Sequence, residues 1–223
     1  MKEKENILVI STKNAFSENL LKELEKRERE VSFVEKEELI NNKRFDMLAF
    51  YKSCGGIIID MFTPHIYAQK DICDLSPEEW EKYKYISVKY ARDLGEYVLK
   101  KAVKKGLNVL ILTSVGGEVP IKNNMLVCAA DASAMMFAKA AALELRGLDV
   151  NVNCLMLSFN DAGLGALLKN EDELLLHIPD HKIISAKEAA VAAANIYDAA
   201  KNKITGNVFK LDDAFSLGYM REY

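Results

Sequence analysis

Met125-Leu-Val-Cys-Ala-Ala-Asp131-Ala-Ser-Ala-Met-Met-Phe-Ala-Lys139-Ala-Ala-Ala-Leu-Glu-Leu145 lies between two short apolar runs, Val109-Leu-Ile-Leu112 before it and Val150 to Leu157 after it. The middle segment is long, alanine-rich and closed by Gly147, which predicts a helix over 125–146. The flanking runs are short and continuously apolar, as strands buried on both faces are. Strand, helix and strand in that order form a parallel crossover unit.

The same alternation extends outward in both directions. Ile7 to Ile10 reads as a strand, and Ala15 to Glu28 as a helix with Leu20, Leu21 and Leu24 on one face. Val31 to Val34 reads as a second strand, and Ile57 to Ile59, opened by Gly55-Gly56, as a third. A helix is expected near 44–53. Ser76-Pro77-Glu78-Glu79 supplies a cap, a proline at the first helical position and carboxylates in the first turn. The helix it opens is expected to reach about Lys104, with Ile86, Tyr90, Leu94 and Tyr97 at helical spacing, and to end before Gly106. Residues 160–182 read as irregular and partly helical, Ala186 to Lys201 as a helix, and Asn207 to Leu211 as the last strand. The pattern predicts one α/β domain over residues 1–223, with a doubly wound, Rossmann-like parallel sheet in three layers.

Composition narrows the function classes. Half of the 223 residues are apolar, 28% are charged, and the net charge is −3. That balance suits a globular protein and gives no electrostatic reason to expect nucleic acid. Paired lysines, Lys100-Lys101 and Lys104-Lys105, fall near a helix end, where cations complement the dipole. Cysteines 54, 73, 128 and 154 form no CxxC, so neither a zinc site nor a disulfide framework is expected. His177 and His181 are four apart, but Pro179 between them breaks the helix a shared metal would need. The N-terminus carries no apolar signal region, and 125–145 is interrupted by Asp131, Lys139 and Glu144. A cytoplasmic protein without metal, membrane or nucleic-acid partners is expected.

From Ser76 onward the order of signals resembles the short-chain dehydrogenase/reductases, over roughly two-thirds of the chain. Pro77-Glu-Glu-Trp80 is similar to the start of that family's long interface helix. Val109-Leu-Ile-Leu-Thr-Ser114-Val-Gly-Gly117 is similar to the strand and loop bearing its catalytic serine. Phe137-Ala-Lys139-Ala-Ala-Ala-Leu-Glu-Leu145, followed by Asp149-Val-Asn-Val-Asn153, resembles its active-site helix and next strand. Ile204-Thr-Gly206-Asn-Val-Phe-Lys-Leu-Asp212 resembles its terminal strand.

The resemblance implies a fold, and its departures imply a loss. The family holds NAD(P) on a Gly-x-x-x-Gly-x-Gly turn, and here Ser11, Ala15 and Ser17 stand at the glycine positions. A side chain at each would obstruct the phosphates or a turn needing positive φ. Asp60-Met61-Phe62-Thr63 replaces an Asn-Asn-Ala-Gly motif and arrives some twenty residues early, which implies a sheet one strand short in its N-terminal half. Val127 and Asp131 fall where the family's catalytic tyrosine and lysine stand, leaving Ser114 as the remnant. Valine has no proton to transfer, and aspartate reverses the charge that tunes the tyrosine. Ser87 falls near a supporting asparagine, and Leu157-Ser158 where Pro-Gly lines the nicotinamide pocket.

Ser114 is then expected to be a local cap, and Asp131 to face the vacated cleft, solvated or paired with a lysine. No cofactor is expected. The 125–145 helix, apolar on nearly every face, is expected to pack against a second subunit through Ala134 and Ala138, with Tyr90 and Tyr97 on the neighbouring helix. These readings imply a pseudoenzyme subunit, inactive by itself, in a hetero-oligomer (a tetramer) with a catalytic homologue of the 3-hydroxyacyl-CoA type. Heteromeric short-chain dehydrogenases with one inactive subunit, such as the pair acting on 2-(hydroxybenzyl)succinyl-CoA, are the assemblies it resembles. Two other readings stay open: a stand-alone ligand sensor, and a divergent oxidoreductase whose acid has moved to another residue, such as one of the nine tyrosines.

Overall fold

Continuous apolar runs have no solvent-facing side, so strands built from them must be covered twice. In the computed structural model they form one parallel sheet; the structure describes residues 5–36, 54–61, 70, 72–84, 106–163, 182–201 and 203–217. The strands are β1 (Asn6–Ser11), β2 (Glu30–Glu35), β3 (Gly56–Asp60), β4 (Leu107–Ser114), β5 (Val150–Leu157) and β6 (Val208–Leu211). Their spatial order is β2-β1-β3-β4-β5-β6, every pairing parallel. Among the described residues no strand lies beyond β2, in keeping with a sheet shortened in its N-terminal half.

Helices α1 (Ala15–Lys26) and α4 (Ala186–Ala200) cover one face, through Leu20, Leu24, Ala189, Ala193 and Tyr197. Helix α3 (Met125–Leu145) covers the other, through Val127, Ala130, Ala134, Ala138 and Ala142. Helix α2 (Pro77–Lys84) touches α3. Its start is built as expected: the Ser76 hydroxyl accepts the Glu79 N–H at 3.3 Å, and the Glu79 carboxylate accepts the Ser76 N–H at 2.8 Å. Equivalent capping boxes close α1 (Asn14 with Ser17) and α4 (Ser185 with Glu188).

The face α3 presents corrects one expectation. Ala134 and Ala138 are buried against this chain's own sheet, at 2% and 0% exposure. The outward stripe instead carries Met136 and Leu143, 63% and 64% exposed. A helix with alanine on every side does not disclose which side faces inward, so its periodicity could not settle the point. By length and composition alone α3 could cross a membrane, but its inner face is packed on β4 and β5. Tyr90, Tyr97, Ser87, the helix expected near 44–53, the remainder of the long helix, His177 and His181 lie outside the described residues.

The chain leaves β1 through α1 toward β2, and leaves β3 in the opposite direction toward β4. Strand order therefore reverses between β1 and β3. In open parallel sheets that reversal opens a crevice at the carboxyl ends of the strands, and the polar residues of this chain converge there.

Candidate functional site

Ser11 ends β1 and Asp60 ends β3, and the Ser11 hydroxyl donates to the Asp60 carboxylate at 3.0 Å. The hydrogen bond thus bridges the crevice between the two strands. Lys36, immediately after β2, donates to the Asp60 carbonyl oxygen at 3.1 Å and lies 3.7 Å from the Asp60 carboxylate. Burial pulls the Lys36 ammonium below its ordinary range, opposed by the charges of Asp60, Asp131 and Glu35.

Ser114 ends β4. Its hydroxyl donates to the Asp131 carboxylate on α3 and accepts the Gly116 N–H at 3.2 Å. Gly117 allows this approach: a Cβ there would stand 2.6 Å from the Met135 methyl and 3.0 Å from the Asp131 carbonyl carbon. Asp131 is 2% exposed, so it is not solvated as expected; it lies against Ser114 and has Lys36 within electrostatic reach. Burial pushes its carboxyl up to about 7; the nearby Asp60 charge adds to the rise, while the Ser114 hydrogen bond and Lys36 oppose it. Val127 sits in the core one turn away, 3% exposed. Ser114 is a cap, since it opens the short 3-10 turn at Val115–Gly117.

Several N–H groups of the first βα turn are held by the protein's own side chains, while the buried Thr12 hydroxyl has no hydrogen-bond partner. The Lys13 N–H donates to both oxygens of Glu35 at 3.1 Å, the Asn14 side chain caps the Ser17 N–H at 3.0 Å, and Asn14 Nδ2 donates to the Ala162 carbonyl at 3.3 Å. Neither Ser11, Ala15 nor Ser17 has positive φ, so the lost glycines leave no strained backbone. The adjoining pocket is lined by Asn14, Phe16, Asp60, Thr113, Ser114, Leu157, Asn160, Ala162 and Gly163. A pyrophosphate is held by free backbone donors at this turn, and here the Lys13, Asn14 and Ser17 N–H groups are instead taken by the side chains of Glu35, Ser17 and Asn14, so those three are not offered to a dinucleotide.

Chemically, the cluster can hold charge and share a proton between Ser114 and Asp131, and among the described residues it brings no phenol there. Tyr197 lies at the opposite end of the sheet, its hydroxyl donating to Glu5 at 3.2 Å. Burial and the Glu5 charge push that phenol up, away from use as an acid. Sequence reading found Ser11, Ser114 and Asp131 but not Lys36. The signal available was a lone lysine directly after a strand that borders the switch point.

Residues 45–216 match the family model described as enoyl-(acyl carrier protein) reductase. Nodulation protein G of Rhizobium meliloti (strain 1021) is 23% identical over 128 residues, 56% of this chain and 51% of that protein, so the match spans about half its length. Among solved structures, 3-ketoacyl-(acyl-carrier-protein) reductase from Brucella melitensis, complexed with NADH, superposes with a TM-score of 0.80 at 16% identity, covering 96% of this chain and 99% of that one. Thermoplasma acidophilum aldohexose dehydrogenase in ligand-free form gives 0.78 at 13% identity, covering 99% and 97%. With well over half its length matched, on this sheet and this strand order, the chain belongs to the enoyl-(acyl carrier protein) reductase family of short-chain dehydrogenase/reductases.

Proposed function

We propose that this chain is a non-catalytic subunit that assembles with, and supports, a catalytically active short-chain dehydrogenase/reductase. The observation that carries the reading is the Ser114–Asp131 pair: the serine hydroxyl donates to a buried carboxylate at the place where the family sets its lysine. The group four residues before Asp131 is Val127, which has no proton to move. A dehydrogenase needs an acid–base group within reach of the substrate oxygen, and positioned proton transfer is worth ~10²–10⁴ in rate.

The outward stripe of α3 supports the partner half of the proposal. Met136 and Leu143 are exposed on a helix with alanine between them, and Trp80 at 36% and Leu148 at 39% are further exposed apolar groups. Exposed apolar surface of this kind marks association. The partner we propose is an intact homologue of the same fold, in a hetero-tetramer acting on a 3-hydroxyacyl-CoA-type substrate with NAD(P) held by the active subunits.

The test is co-expression with an intact homologue from the same source, with complex mass and turnover measured together. The wild-type chain should co-purify with the homologue, and the chain alone should transfer no hydride. Met136→Glu combined with Leu143→Glu should weaken the complex by about 100-fold or more, because each would bury an unpaired charge. Hydride transfer by the isolated chain, or NADH binding tighter than about 100 μM (roughly −5.5 kcal/mol), would overturn the non-catalytic half. An unaltered complex in the double variant would overturn the docking face.

A further inference from the structure

A serine hydroxyl has one proton to give and two lone pairs to accept with. At Ser114 the proton goes to the Asp131 carboxylate, and one lone pair takes the Gly116 N–H at 3.2 Å. One lone pair is left. Serine and aspartate are both buried, and Ser114 lines the crevice pocket together with Asn14 and Asn160. While Asp131 is ionised, this serine can therefore only accept a further hydrogen bond. A protonated Asp131 reverses the count. Ser114 is its side-chain hydrogen-bond partner among the described residues, so the acid proton finds its acceptor in Ser114 Oγ. Both lone pairs are then occupied, and the serine's own proton is released from the carboxylate.

We propose that Asp131 and Ser114 form a proton-driven polarity switch, in which proton uptake by Asp131 turns the Ser114 hydroxyl from a hydrogen-bond acceptor into a donor toward the crevice pocket. A hydroxyl or ammonium group entering the pocket is met in the first state, and a carbonyl oxygen in the second. Burial places the change in the neutral range, since it raises the Asp131 carboxyl to about 7, so the proton is taken up as pH falls through that value. The groups around Asp131 are few. Asp60 on β3 favours uptake, and Lys36 after β2 opposes it. Cys154 on β5 and Cys128 on α3 are thiols that burial pushes up, Cys154 to about 12, so both stay neutral through the change. β4 and the 115–117 turn carry no titratable side chain, and α2 turns Glu78 and Glu81 to solvent while Glu79 pairs with Lys70. The inference uses the pair that carries the proposed function but needs no partner subunit. Hydride transfer and co-purification decide that reading, and a titration of the chain alone decides this one.

The experiment follows the full chain from about pH 9 to about pH 5, a range in which solvent-exposed carboxylates stay ionised. Infrared difference spectra report the carboxylic-acid C=O stretch, and the Gly116 amide proton is followed by NMR in the same samples. In the wild type the acid stretch should grow in as pH falls through about 7, and it should be absent from Asp131→Asn. The Gly116 amide proton should move upfield with the same midpoint, because Ser114 Oγ is a weaker acceptor once it takes a proton from Asp131. That inflection should be flat in Asp131→Asn. In Ser114→Ala the acid stretch should shift to higher frequency, since the acid has lost its acceptor. An acid stretch at the same frequency in Ser114→Ala would show that Asp131 does not donate to the serine, and would overturn the switch. So would a Gly116 amide that shows no inflection while Asp131 titrates, or the lack of any acid stretch down to about pH 5. If neither variant folds, the wild type decides alone: one shared midpoint supports the switch, and two separate midpoints overturn it.

Discussion

At the amino ends of the strands, Glu5, Arg27, Arg29, Asp198 and Lys201 form an ion-pair network whose side chains are 21% to 32% exposed. At the carboxyl ends, Lys36, Asp60 and Asp131 are buried almost completely. The first network ties the start of β1, the entry to β2 and the end of α4 together where water still screens and solvates each group. The second places charge in a dry crevice where apolar side chains of the same volume would stabilise the sheet at least as well. Charge at the carboxyl ends is thus no requirement of the fold, whereas charge at the amino ends is ordinary surface chemistry. The buried set belongs to the site.

Asp131→Asn should give the largest effect that separates the two ends. Its folded carboxyl titrates near 7 against an ordinary 3.8, so the folded chain keeps a proton that the unfolded chain releases. Stability therefore falls as pH rises from about 4 to about 7, and the penalty is fully present above that window. Asparagine can still accept from Ser114 but cannot ionise. At pH 8 the variant should gain up to ~4 kcal/mol, reduced by whatever Lys36 loses as a counter-charge, and at pH 4 almost nothing. Denaturant unfolding at the two pH values measures it. A variant less stable than wild type at pH 8 would mean that Asp131 is held as a favourable ion pair.

Gly56→Ala probes the amino end through packing rather than charge. A Cβ at Gly56 would fall 1.4 Å from the Tyr197 hydroxyl, so the ring must withdraw from Glu5. Overpacking of that kind costs ~1–3 kcal/mol. Adding Tyr197→Phe should return part of the loss, because the shortest contact is with the hydroxyl, while the ring carbon Cζ, at 2.5 Å, must still give way. No recovery would place the strain in the β3 backbone instead.

Which parts of this were legible in the sequence follows from the range of the interactions involved. The strands and the Ser76, Asn14 and Ser185 helix starts depend on neighbours a few residues apart, so runs and caps disclose them. The positions compared with the family's serine, tyrosine and lysine were legible because Ser114, Val127 and Asp131 lie on one strand–helix unit of fixed spacing. Lys36 was not legible, since its role exists only because β1 is threaded between β2 and β3. Nor was the facing of α3 legible, because Ala134 and Ala138 on the inside differ little from Ala132 and Ala140 on the outside. Periodicity needs contrast between faces, and that helix has little.

Arg29→Met should produce the smallest change, and its smallness would sharpen the contrast. Arg29 pairs with Glu5 at 2.7 Å and with Asp198 at 2.9 Å, but neither acid depends on it alone. Glu5 keeps Lys201, and Asp198 keeps Arg27 at 2.9 Å and Lys201 at 3.6 Å. Those partners hold Asp198 below the ordinary carboxylate range, although burial works against them. The Arg29 Nε also has no hydrogen-bond partner, a small cost that methionine removes. The net loss should be about 1 kcal/mol at low salt and less in 0.5 M salt, where the Debye length falls to a few ångströms. Since Asp198 is depressed, the wild-type advantage should be present above about pH 4 and fade as pH falls below it. Denaturant midpoints at two salt concentrations measure this directly. A loss of several kcal/mol that salt does not diminish would mean that the amino-end network behaves as a buried site, and the distinction between the two ends of the sheet would collapse.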